Sequence, residues 1–272
     1  MKFSVLMSVY KNDNSNYLLQ ALESIYDKQT LKPDEIVIVF DGKLTDSLYA
    51  VIDDFSKDKT DIVKKVVLDT NQGLGNALKI GITYCSHEIV CRMDSDDISV
   101  SERFEKQIEY MKFHPEIDVV GSCISEFSTS PEEILHERIV PEDHDSIVKM
   151  AKKRNPINHM TVCMRKSAVE SCGNYETVLY LEDYYLWVKM IARDRRLANL
   201  PQSLVYARTE QNFTQKRASK VKIKGCKKLQ QYMLENKMVS KSEAFMNMVI
   251  IYGLVYCPDF VRKFVYKHFL RK

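Results

Sequence analysis

The stretch Glu35-Ile36-Val37-Ile38-Val39-Phe40-Asp41-Gly42 decides the fold class of this 272-residue chain. It holds five consecutive apolar residues, four of them β-branched, which is typical of a strand covered by protein on both faces. Similar runs alternate with amphipathic stretches along the first part of the chain. The predicted strands are 3–10, 35–40, 62–68 and 87–93, and the predicted helices are 15–29, 44–57, 74–85 and 100–113. This order predicts an α/β fold with a mostly parallel sheet between helices, in which ligands bind at the carboxyl ends of the strands.

The rest of the chain divides into an irregular middle and a helical end. The middle contains two predicted strands and one strongly amphipathic helix, at 117–121, 159–165 and 181–193. From about Thr214 the pattern indicates helices only, interrupted at Gly253 and Pro258. We therefore predict one large domain over residues 1–210 and a helical extension over residues 211–272.

The composition is that of an ordinary globular protein. Hydrophobic residues make up 45% and charged residues 28%, which excludes disordered, collagen-like and disulfide-scaffold proteins. Seven cysteines without a Cys-x-x-Cys pair predict neither a disulfide framework nor a zinc site, so we expect reduced, mostly buried thiols. The first residues do not resemble a secretory signal, and the longest apolar stretch, 245–257, is shorter than the ~20 residues of a membrane span. We therefore expect a cytoplasmic protein.

Charge is distributed unevenly along the chain. Residues 1–207 hold 25 basic and 33 acidic residues, a net charge of −8, whereas residues 208–272 hold 15 and 4, a net charge of +11. So basic an end fits nucleic acid, anionic lipid or an acidic partner. Apolar residues at helical spacing accompany the last basic residues, which favours a helix lying in a membrane interface over nucleic-acid binding. These apolar residues are Val261, Phe264, Val265 and Phe269. A basic helix packed on the protein core is the alternative.

Three carboxylates crowd the segment Arg92-Met93-Asp94-Ser95-Asp96-Asp97, where the fourth predicted strand ends. Like charges at such an edge repel unless a cation neutralises them, and carboxylate oxygens select hard cations such as Mg²⁺ or Mn²⁺. The segment therefore predicts a divalent-metal site that shares the cation with substrate phosphates. A solvated acidic turn before the next helix is the alternative.

Two further features fall at the carboxyl ends of predicted strands. Asp41 follows the second strand, where an aspartate can accept a hydrogen bond from a ribose hydroxyl or a base N–H, and Gly42 suits a sharp turn. The segment Asn71-Gln72-Gly73-Leu74 leads into a helix, and its amides can approach a nucleotide. Each feature alone is compatible with a plain turn, and the loop lacks the spacing of a phosphate-binding glycine motif.

Taken in order, these motifs resemble glycosyltransferase family 2, whose members are inverting nucleotide-sugar enzymes of the GT-A fold. The resemblance covers most of residues 3–210 and depends on the order and spacing of six segments. They are 4–12, Asp41-Gly42, 71–74, 94–97 followed by Arg103, 155–159 and 181–187. In size and layout the chain is similar to bacterial enzymes that build O-antigen or capsule repeat units.

The resemblance implies that residues 1–114 bind the donor nucleotide and residues 115–210 bind the acceptor. The residues expected around the nucleotide are Val9, Tyr10, Asp41, Asn71, Gly73 and Asp94. Asp96, together with Asp94, is expected to bind the Mn²⁺ or Mg²⁺ that bridges the donor diphosphate. A cation and a basic side chain stabilise the negative charge that the departing nucleoside diphosphate gains.

Asp183 matches the catalytic base of the family. It stands near the start of the predicted helix at 181–193, where the helix dipole and free amides favour an ionised carboxylate. An inverting transfer is a single in-line displacement, in which one carboxylate takes the proton of the acceptor hydroxyl. Glu182 is expected to bind substrate beside it. A plain acidic pair at a helix N-terminus is the alternative.

Three more residues have two interpretations each. His159 either hydrogen-bonds the acceptor or fills a core position. Arg208 either pairs with the donor diphosphate or lies at the domain surface. Trp187 either stacks on a sugar or packs in the core, and we expect core packing.

The sequence thus predicts an inverting glycosyltransferase that moves a sugar from a nucleoside diphosphate, with UDP expected, to an acceptor hydroxyl. The expected acceptor is a polyprenyl-diphosphate-linked saccharide at the inner face of the cytoplasmic membrane, and no nucleic-acid partner is expected. A sugar-phosphate nucleotidyltransferase is an alternative, but residues 4–14 contain no glycine for its glycine-rich loop. A non-catalytic protein of the same scaffold, binding membrane, nucleotide or nucleic acid, is the other alternative. It does not explain why Asp41, Asp94, Asp96 and Asp183 occur together.

Overall fold

A nine-stranded sheet forms the centre of the computed structural model, which describes residues 1–209 and 220–258. Its strands are β1 (Phe3–Val9), β2 (Glu35–Phe40), β3 (Val63–Val67), β4 (Ile89–Met93), β5 (Ile98–Ser99), β6 (Val119–Phe127), β7 (Ile134–Arg138), β8 (Cys163–Arg165) and β9 (Leu197–Arg208). They lie in the order β3-β2-β1-β4-β8-β6-β9-β5, and β7 pairs with β6. Strands β3, β2, β1 and β4 are parallel, whereas β8 runs antiparallel to both β4 and β6. The sheet is therefore parallel in its first half and mixed in its second.

Helices cover both faces of this sheet. In the described residues they are α1 (Ser15–Ile25), α2 (Asp46–Ser56), α3 (Leu74–Tyr84), α4 (Arg103–Phe113), α5 (His144–Ala151), α6 (Lys166–Ser171), α7 (Glu182–Ile191), α8 (Lys220–Glu235) and α9 (Lys241–Tyr256), with a 3-10 turn at His159–Thr161. Asn14 and Thr45 cap α1 and α2 with side-chain oxygens that accept backbone N–H groups. The predicted α/β class, with helices on both faces and a helical end, is confirmed.

The buried apolar residues of β1 and β2 contribute to two cores, because successive strand residues point to opposite faces. On one face, Met7 and Ile38 pack with α1, α2 and α4. On the other, Leu6 and Val39 pack with α3, α6 and α7. All four residues are fully buried, as their sequence pattern predicts.

The first half of the chain follows the predicted elements, with ends that shift by a few residues, and the second half does not. The stretch predicted as a strand at 159–165 begins with the 3-10 turn, because the backbone N–H and hydroxyl of Thr161 both bond the Asn158 carbonyl. The pattern does not predict β5, β7, α5 or α6, which have eight residues or fewer. It also misses β9, whose 12 residues are interrupted by Pro201 and by a shift in register against β6. Gly253 lies inside α9 and does not interrupt it, while α9 ends two residues before Pro258.

A disulfide joins Cys91 on β4 to Cys163 on β8, which corrects the prediction that all seven cysteines are reduced. The two residues are direct partners in the antiparallel pair, with Cα atoms 3.9 Å apart. They are 72 residues apart in sequence, so their spacing does not reveal the pairing. The other five cysteines are free.

Helices α8 and α9 pack on the α/β domain. Leu229 and Met233 of α8 share an apolar cluster with Tyr184 and Val188 of α7. Lys228 pairs with Glu176 at 2.8 Å. No helix in the described ranges is both long and apolar enough to cross a membrane. The predicted amphipathic segment with Val261, Phe264, Val265 and Phe269 lies outside the described residues.

Candidate active site

The carboxyl ends of β1, β2 and β4 meet at one edge of the sheet, because the three strands are parallel. Val9 ends β1 with its side chain buried in the core, and its carbonyl accepts the N–H of Asp41 at 2.8 Å. The next residue, Tyr10, is exposed and donates its backbone N–H to the Asp13 carboxylate at 3.0 Å. Of this predicted pair, Tyr10 faces solvent at the edge, whereas the Val9 side chain does not.

Asp41 organises the loop between β3 and α3. Its two carboxylate oxygens accept the backbone N–H groups of Gln72 at 2.6 Å and Gly73 at 3.0 Å. The Asn71 side chain reaches the Asp41 carbonyl at 3.4 Å. Gly42 has φ +82°, and a Cβ there would lie 2.6 Å from the Asn71 nitrogen, so only glycine permits this approach. The predicted residues Asp41, Asn71 and Gly73 therefore form one unit.

Asp94, Asp96 and Asp97 form an acidic group at the end of β4, with one oxygen from each within 4.8 Å of the others. Burial, followed by the charges of Asp96 and Asp94, raises the pKa of Asp97 well above its ordinary value. Partial dehydration, followed by the charges of Asp94 and Asp13, raises the pKa of Asp96 to about 7. Oxygen donors that oppose one another's ionisation are the ligand set of a hard divalent cation, so the group fits Mn²⁺ or Mg²⁺.

Asp13 joins the acidic group, although the sequence analysis does not single it out. Its carboxylate accepts the Ser95 hydroxyl at 2.8 Å. Burial raises the pKa of Asp13 to about 6, and the charge of Asp94 adds to the rise. Asp13 lies four residues after the end of β1, which places it at the same edge of the sheet. Its contact with Ser95 joins residues 82 apart in sequence, so the pattern alone does not predict it.

Arg92 lies two residues before Asp94 on β4, and only 2% of it is exposed. Its guanidinium pairs with the Asp94 carboxylate. Burial acts to lower the pKa of Arg92, but the Asp94 charge holds it above its ordinary value, so the side chain is a cation. Its Nε and Nη1 have no hydrogen-bond partner in the described part of the chain. The charge of Arg92 also acts on Asp97 and Asp183, which couples the acidic group to α7.

Asp183 lies in the first turn of α7 and is half-buried. The Asn155 side-chain amide donates to its Oδ2 at 2.6 Å, and the Tyr184 backbone N–H also favours the ionised form. Burial outweighs both and raises the pKa of Asp183. The amide at the helix N-terminus thus acts in the expected direction, and burial acts against it. A carboxylate with a raised pKa is a stronger proton acceptor when it is ionised.

Glu182 connects α7 to the start of α3, which follows the loop held by Asp41. It is 8% exposed, and burial raises its pKa. Its Cγ would lie 2.9 Å from a Cβ at Gly75, so glycine at the start of α3 leaves the room that Glu182 occupies. The N-termini of α3 and α7 therefore meet at this residue.

His159 is held by core residues but is partly exposed. Its Nε2 lies 2.9 Å from the Tyr175 hydroxyl, and its ring lies 6.1 Å from the Trp187 ring. Burial, with the Arg92 charge, lowers the pKa of His159 well below its ordinary value, so the ring is neutral. Trp187 is fully buried, and its predicted core packing is what the structure has.

Arg208 ends β9 against the acidic group. Its backbone N–H donates to Asp97 at 2.7 Å, and its Nε donates to the Asp96 carbonyl at 3.0 Å. The guanidinium lies 3.8 Å from the Tyr17 ring and 4.5 Å from the Phe127 ring. These two rings and the acidic segment fix the side chain beside Asp96.

The residues predicted from the sequence thus fall into three adjoining groups. The edge at the ends of β1 and β2 has Tyr10, Asp41, Asn71 and Gly73. The acidic group has Asp94 and Asp96 with Arg208, and the start of α7 has Glu182 and Asp183 with His159 nearby. The structure adds Asp13, Arg92, Asn155 and Tyr175 to them.

Comparisons with known proteins identify one enzyme family. The family described as "Glycosyl transferase family 2" matches residues 4–172. The amylovoran biosynthesis glycosyltransferase AmsE of Erwinia amylovora is 42% identical over 215 residues, 79% of each chain. The UDP-Gal:alpha-D-GlcNAc-diphosphoundecaprenol beta-1,3-galactosyltransferase of Escherichia coli is 34% identical over 272 residues, 100% of this chain and 97% of the relative. The O-antigen biosynthesis glycosyltransferase WbnJ of Escherichia coli is 29% identical over 221 residues, 79% and 82% of the two chains.

Solved structures share the fold. Residues 1–349 of S. aureus TarS, in complex with UDP-GlcNAc, match with a TM-score of 0.66 and 18% identity, over 98% of this chain and 75% of that chain. The mannosyltransferase PcManGT of Pyrobaculum calidifontis, in complex with GDP-Man and Mn²⁺, matches with a TM-score of 0.63 and 15% identity, over 94% and 69%. These matches agree with the α/β architecture and its GT-A-like sheet.

Proposed function

The chain belongs to glycosyltransferase family 2, and from this membership we propose that it transfers a sugar from a UDP-sugar to a hydroxyl of a lipid-linked saccharide, with inversion. One observation carries the proposal. An oxygen-donor group for a divalent cation ends β4, and a carboxylate held by two N–H donors begins α7. An inverting transferase needs these two parts, one for the departing diphosphate and one for the acceptor proton.

The relatives support the choice of substrates. The Escherichia coli relative that the chain matches over nearly its whole length is named for a UDP-Gal donor and a GlcNAc-diphosphoundecaprenol acceptor. Two others are named for amylovoran and O-antigen biosynthesis, and the TarS structure holds UDP-GlcNAc. We infer the same classes for this chain: a UDP-hexose, a polyprenyl-diphosphate-linked acceptor and a bacterial surface polysaccharide as the product.

On the donor side, Tyr10 and Asp41 hold the nucleotide base and ribose, with the backbone of Val9 fixing the position of Asp41. The Asp41 carboxylate already accepts two amides, and its remaining lone pairs are available to a base N–H or a ribose hydroxyl. The loop with Asn71 and Gly73 closes the same edge.

The diphosphate lies against the acidic group in this proposal. Asp94 and Asp96 would hold Mn²⁺ or Mg²⁺, whose charge, when bound, stabilises the negative charge on the departing diphosphate. The donor set of the acidic group supports this assignment. Arg208, fixed beside Asp96, places a second positive charge near the leaving group.

On the acceptor side, Asp183 takes the proton of the attacking hydroxyl. Asn155 and the Tyr184 N–H keep its carboxylate in one orientation, and burial strengthens it as a proton acceptor. The hydroxyl oxygen bonds the anomeric carbon from the face opposite the diphosphate, and the electron pair of the broken bond leaves on the diphosphate oxygen. One displacement of this kind inverts the configuration. Glu182 and His159 bind the acceptor or sugar beside it.

The proposed domain division follows from these roles. Residues 1–114 bind the donor, residues 115–210 bind the acceptor, and residues 211–272 are a basic extension. Because a polyprenyl-linked acceptor resides in a bilayer, we place the protein at the inner face of the cytoplasmic membrane.

Calorimetry with UDP, GDP and dTDP, each with and without Mn²⁺, tests the donor side. We expect UDP to bind most tightly and to need Mn²⁺, and D96A to weaken binding by roughly tenfold or more. The control is D58A, which removes an exposed acid outside the site. Binding of none of the three nucleotides, or binding that D96A leaves unchanged, would overturn the donor assignment.

Turnover by D183N tests the acceptor side. We expect transfer to a GlcNAc-diphospholipid analogue to fall by about a hundredfold or more, because a general base contributes that much. UDP affinity should remain at the wild-type value. A D183N variant that keeps its turnover, or that loses UDP binding together with it, contradicts the role of Asp183 as the base.

A further inference from the structure

Beyond its first turn, helix α9 carries apolar side chains on every side, but among the described residues only one side of it packs on protein. Ala244 is buried, and Met248 and Ile251 pack against the cluster that α8 and α7 share. The opposite side is exposed to solvent. Its members, the apolar face of α9, are Phe245, Met246, Val249, Ile250 and Tyr252. A helix that is apolar on all sides is normally surrounded by protein or lipid, and a contiguous patch of this kind marks an interaction site.

The groove beside this face is basic and aromatic. A groove of about 290 Å³ between α8 and α9 is lined by Lys224, Lys227, Tyr252, Tyr256 and Ile223. The Lys227 ammonium lies 5.9 Å from the centre of the Tyr252 ring. Tyrosines and lysines along the border of an apolar helix face are the arrangement found at lipid headgroup level.

Charge selects the occupant. Residues 220–258 hold seven lysines and two glutamates, and one of the glutamates, Glu243, is engaged in a capping box with Ser240. A second copy of the chain would bring two such basic surfaces together, which electrostatic repulsion opposes. An anionic phospholipid surface supplies the opposite charge and an apolar interior at once.

The length of α9 determines how it can meet a bilayer. Its 16 residues span about 24 Å, less than the roughly 30 Å of a hydrocarbon core. The helix is therefore suited to lie along the interface, with its apolar face towards the acyl chains and the lysines of α8 at the phosphates.

We propose that the apolar face of α9 and Lys224 and Lys227 of α8 form a surface that docks on an anionic phospholipid bilayer. The purpose of this docking rests on the proposed function, since it brings the enzyme to a lipid-linked acceptor. Helix α8 links the surface to the site, because Gly225 lies against Val178 and Leu181 just before Asp183.

Flotation of the full-length protein with vesicles tests the surface without donor or acceptor. Vesicles of phosphatidylcholine alone are compared with vesicles that also contain phosphatidylglycerol. We expect the wild-type protein to float with the anionic vesicles. F245S/I250S and K224E/K227E should each bind the anionic vesicles at least about tenfold more weakly than the wild-type protein.

Matched controls separate this surface from general surface chemistry. F113S/I139S removes a Phe and an Ile that are 68% and 62% exposed, against 69% and 55% for Phe245 and Ile250. K57E/K106E reverses two exposed lysines elsewhere. Both controls should float like the wild-type protein, and all variants should unfold at the wild-type temperature.

The outcomes separate the docking surface from the proposed function. A wild-type protein that ignores anionic vesicles, or an F245S/I250S variant that still floats with them, overturns the surface. So does sedimentation that shows a wild-type dimer and an F245S/I250S monomer, because the face is then an interface between copies. Transfer to a water-soluble acceptor analogue should be unchanged in F245S/I250S. If the wild-type protein transfers no sugar but still floats with anionic vesicles, the proposed function is wrong and the docking surface is supported.

Discussion

Arg92 is a buried cation between the acidic group and α7, and its removal should lower the free energy of unfolding. R92M leaves the carboxylate of Asp94 without its partner in a partly buried position. Breaking a fully buried pair costs about 3–5 kcal/mol, and because Asp94 keeps some contact with water we expect the lower part of that range or slightly less. Urea unfolding at neutral pH measures the loss.

R92K is the matched control for R92M. It keeps the positive charge and loses the fork of N–H donors, so its loss of stability should be smaller than that of R92M. Equal stability of R92M and the wild-type protein would mean that water alone satisfies Asp94, and it would remove the electrostatic link between the acidic group and Asp183.

Asn155 should control the pH at which the base becomes active. Its amide favours the ionised form of Asp183, whereas burial raises the pKa of that carboxyl. N155A removes the amide, so the pKa of Asp183 should rise further. Because the base acts only when ionised, the acidic limb of kcat/KM should move to higher pH, by about one unit for one lost charge-assisted hydrogen bond. A pH profile measures the shift.

The profile also contains its own test. Activity of N155A at high pH should approach the wild-type value, since Asp183 is ionised in both proteins there. A uniform loss of activity at every pH, with the limb in its original place, would show that Asn155 contributes to structure and not to the ionisation of the base.

Single residues could be predicted where a strand or helix end places them. Asp41 and Asp94 each follow a buried strand, and Asp183 lies in the first turn of a helix with a clear apolar stripe. Asp13, Arg92 and Asn155 could not be predicted in the same way. Their roles depend on contacts across the fold, such as the 82 residues between Asp13 and Ser95 or the 28 between Asn155 and Asp183.

At the scale of elements, the loop after β1 and the segment after β4 should make stability depend on pH. The pKa of Asp13 is raised to about 6 and that of Asp96 to about 7. A carboxyl group whose pKa is raised by folding stabilises the folded state below its unfolded pKa, near 4. This contribution is lost as the pH rises through the folded value. Without a divalent cation, the unfolding temperature should therefore fall between about pH 4 and pH 7 through these groups.

Other groups titrate over the same range, so the comparison is between variants. D96N should unfold at a higher temperature than the wild-type protein at about pH 8, and the difference should shrink towards pH 4. Added Mn²⁺ should stabilise the wild-type protein at the higher pH and leave D96N largely unchanged. Equal unfolding temperatures of the two proteins at the higher pH would contradict the repulsion within the acidic group.

Elements could be predicted where burial makes the pattern strong. The strands β1, β2 and β4 are covered on both faces, so nearly all of their residues are buried and most are apolar. Strand β7 is exposed along most of its length, and β5 has two residues, so neither carries a pattern. Strand β8, the antiparallel partner of β4, follows a 3-10 turn and has only three residues. Its pairing with β4 could not be predicted for that reason, and neither could the Cys91–Cys163 disulfide.

At the scale of the whole molecule, the helical end and the α/β domain share a core. The first part of the chain is acidic and its end is basic, so the two attract each other. Apolar packing of α8 on α7 stabilises their contact further. The sequence predicts the helices of this end from their periodicity. It does not predict that α8 lies against the segment leading to Asp183, because that contact depends on the packing of separate elements.

Gly225 of α8 should affect catalysis through its packing against the segment before Asp183. A Cβ there would lie 3.2 Å from side-chain atoms of both Val178 and Leu181, and Leu181 is the N-cap of the helix that carries Asp183. The larger side chain of G225V must therefore displace this segment. Because a misplacement of about 1 Å at a catalytic group costs up to a hundredfold in rate, we expect kcat to fall by about tenfold or more. UDP affinity should not change, since Gln72 and Gly73, which hold the Asp41 carboxylate, lie outside the displaced segment.

The matched control is G253V, because that glycine lies in the interior of α9 with no atom within 4 Å of its would-be Cβ. It makes the same change in side chain and helix propensity without pressing on the domain, so its kcat should remain at the wild-type value. Steady-state kinetics and calorimetry of the two variants separate the outcomes. If G225V and G253V lose the same fraction of kcat, the effect comes from the helices themselves. If only G225V loses it, at constant UDP affinity, the position of the base depends on α8, and the helical end is part of the catalytic unit.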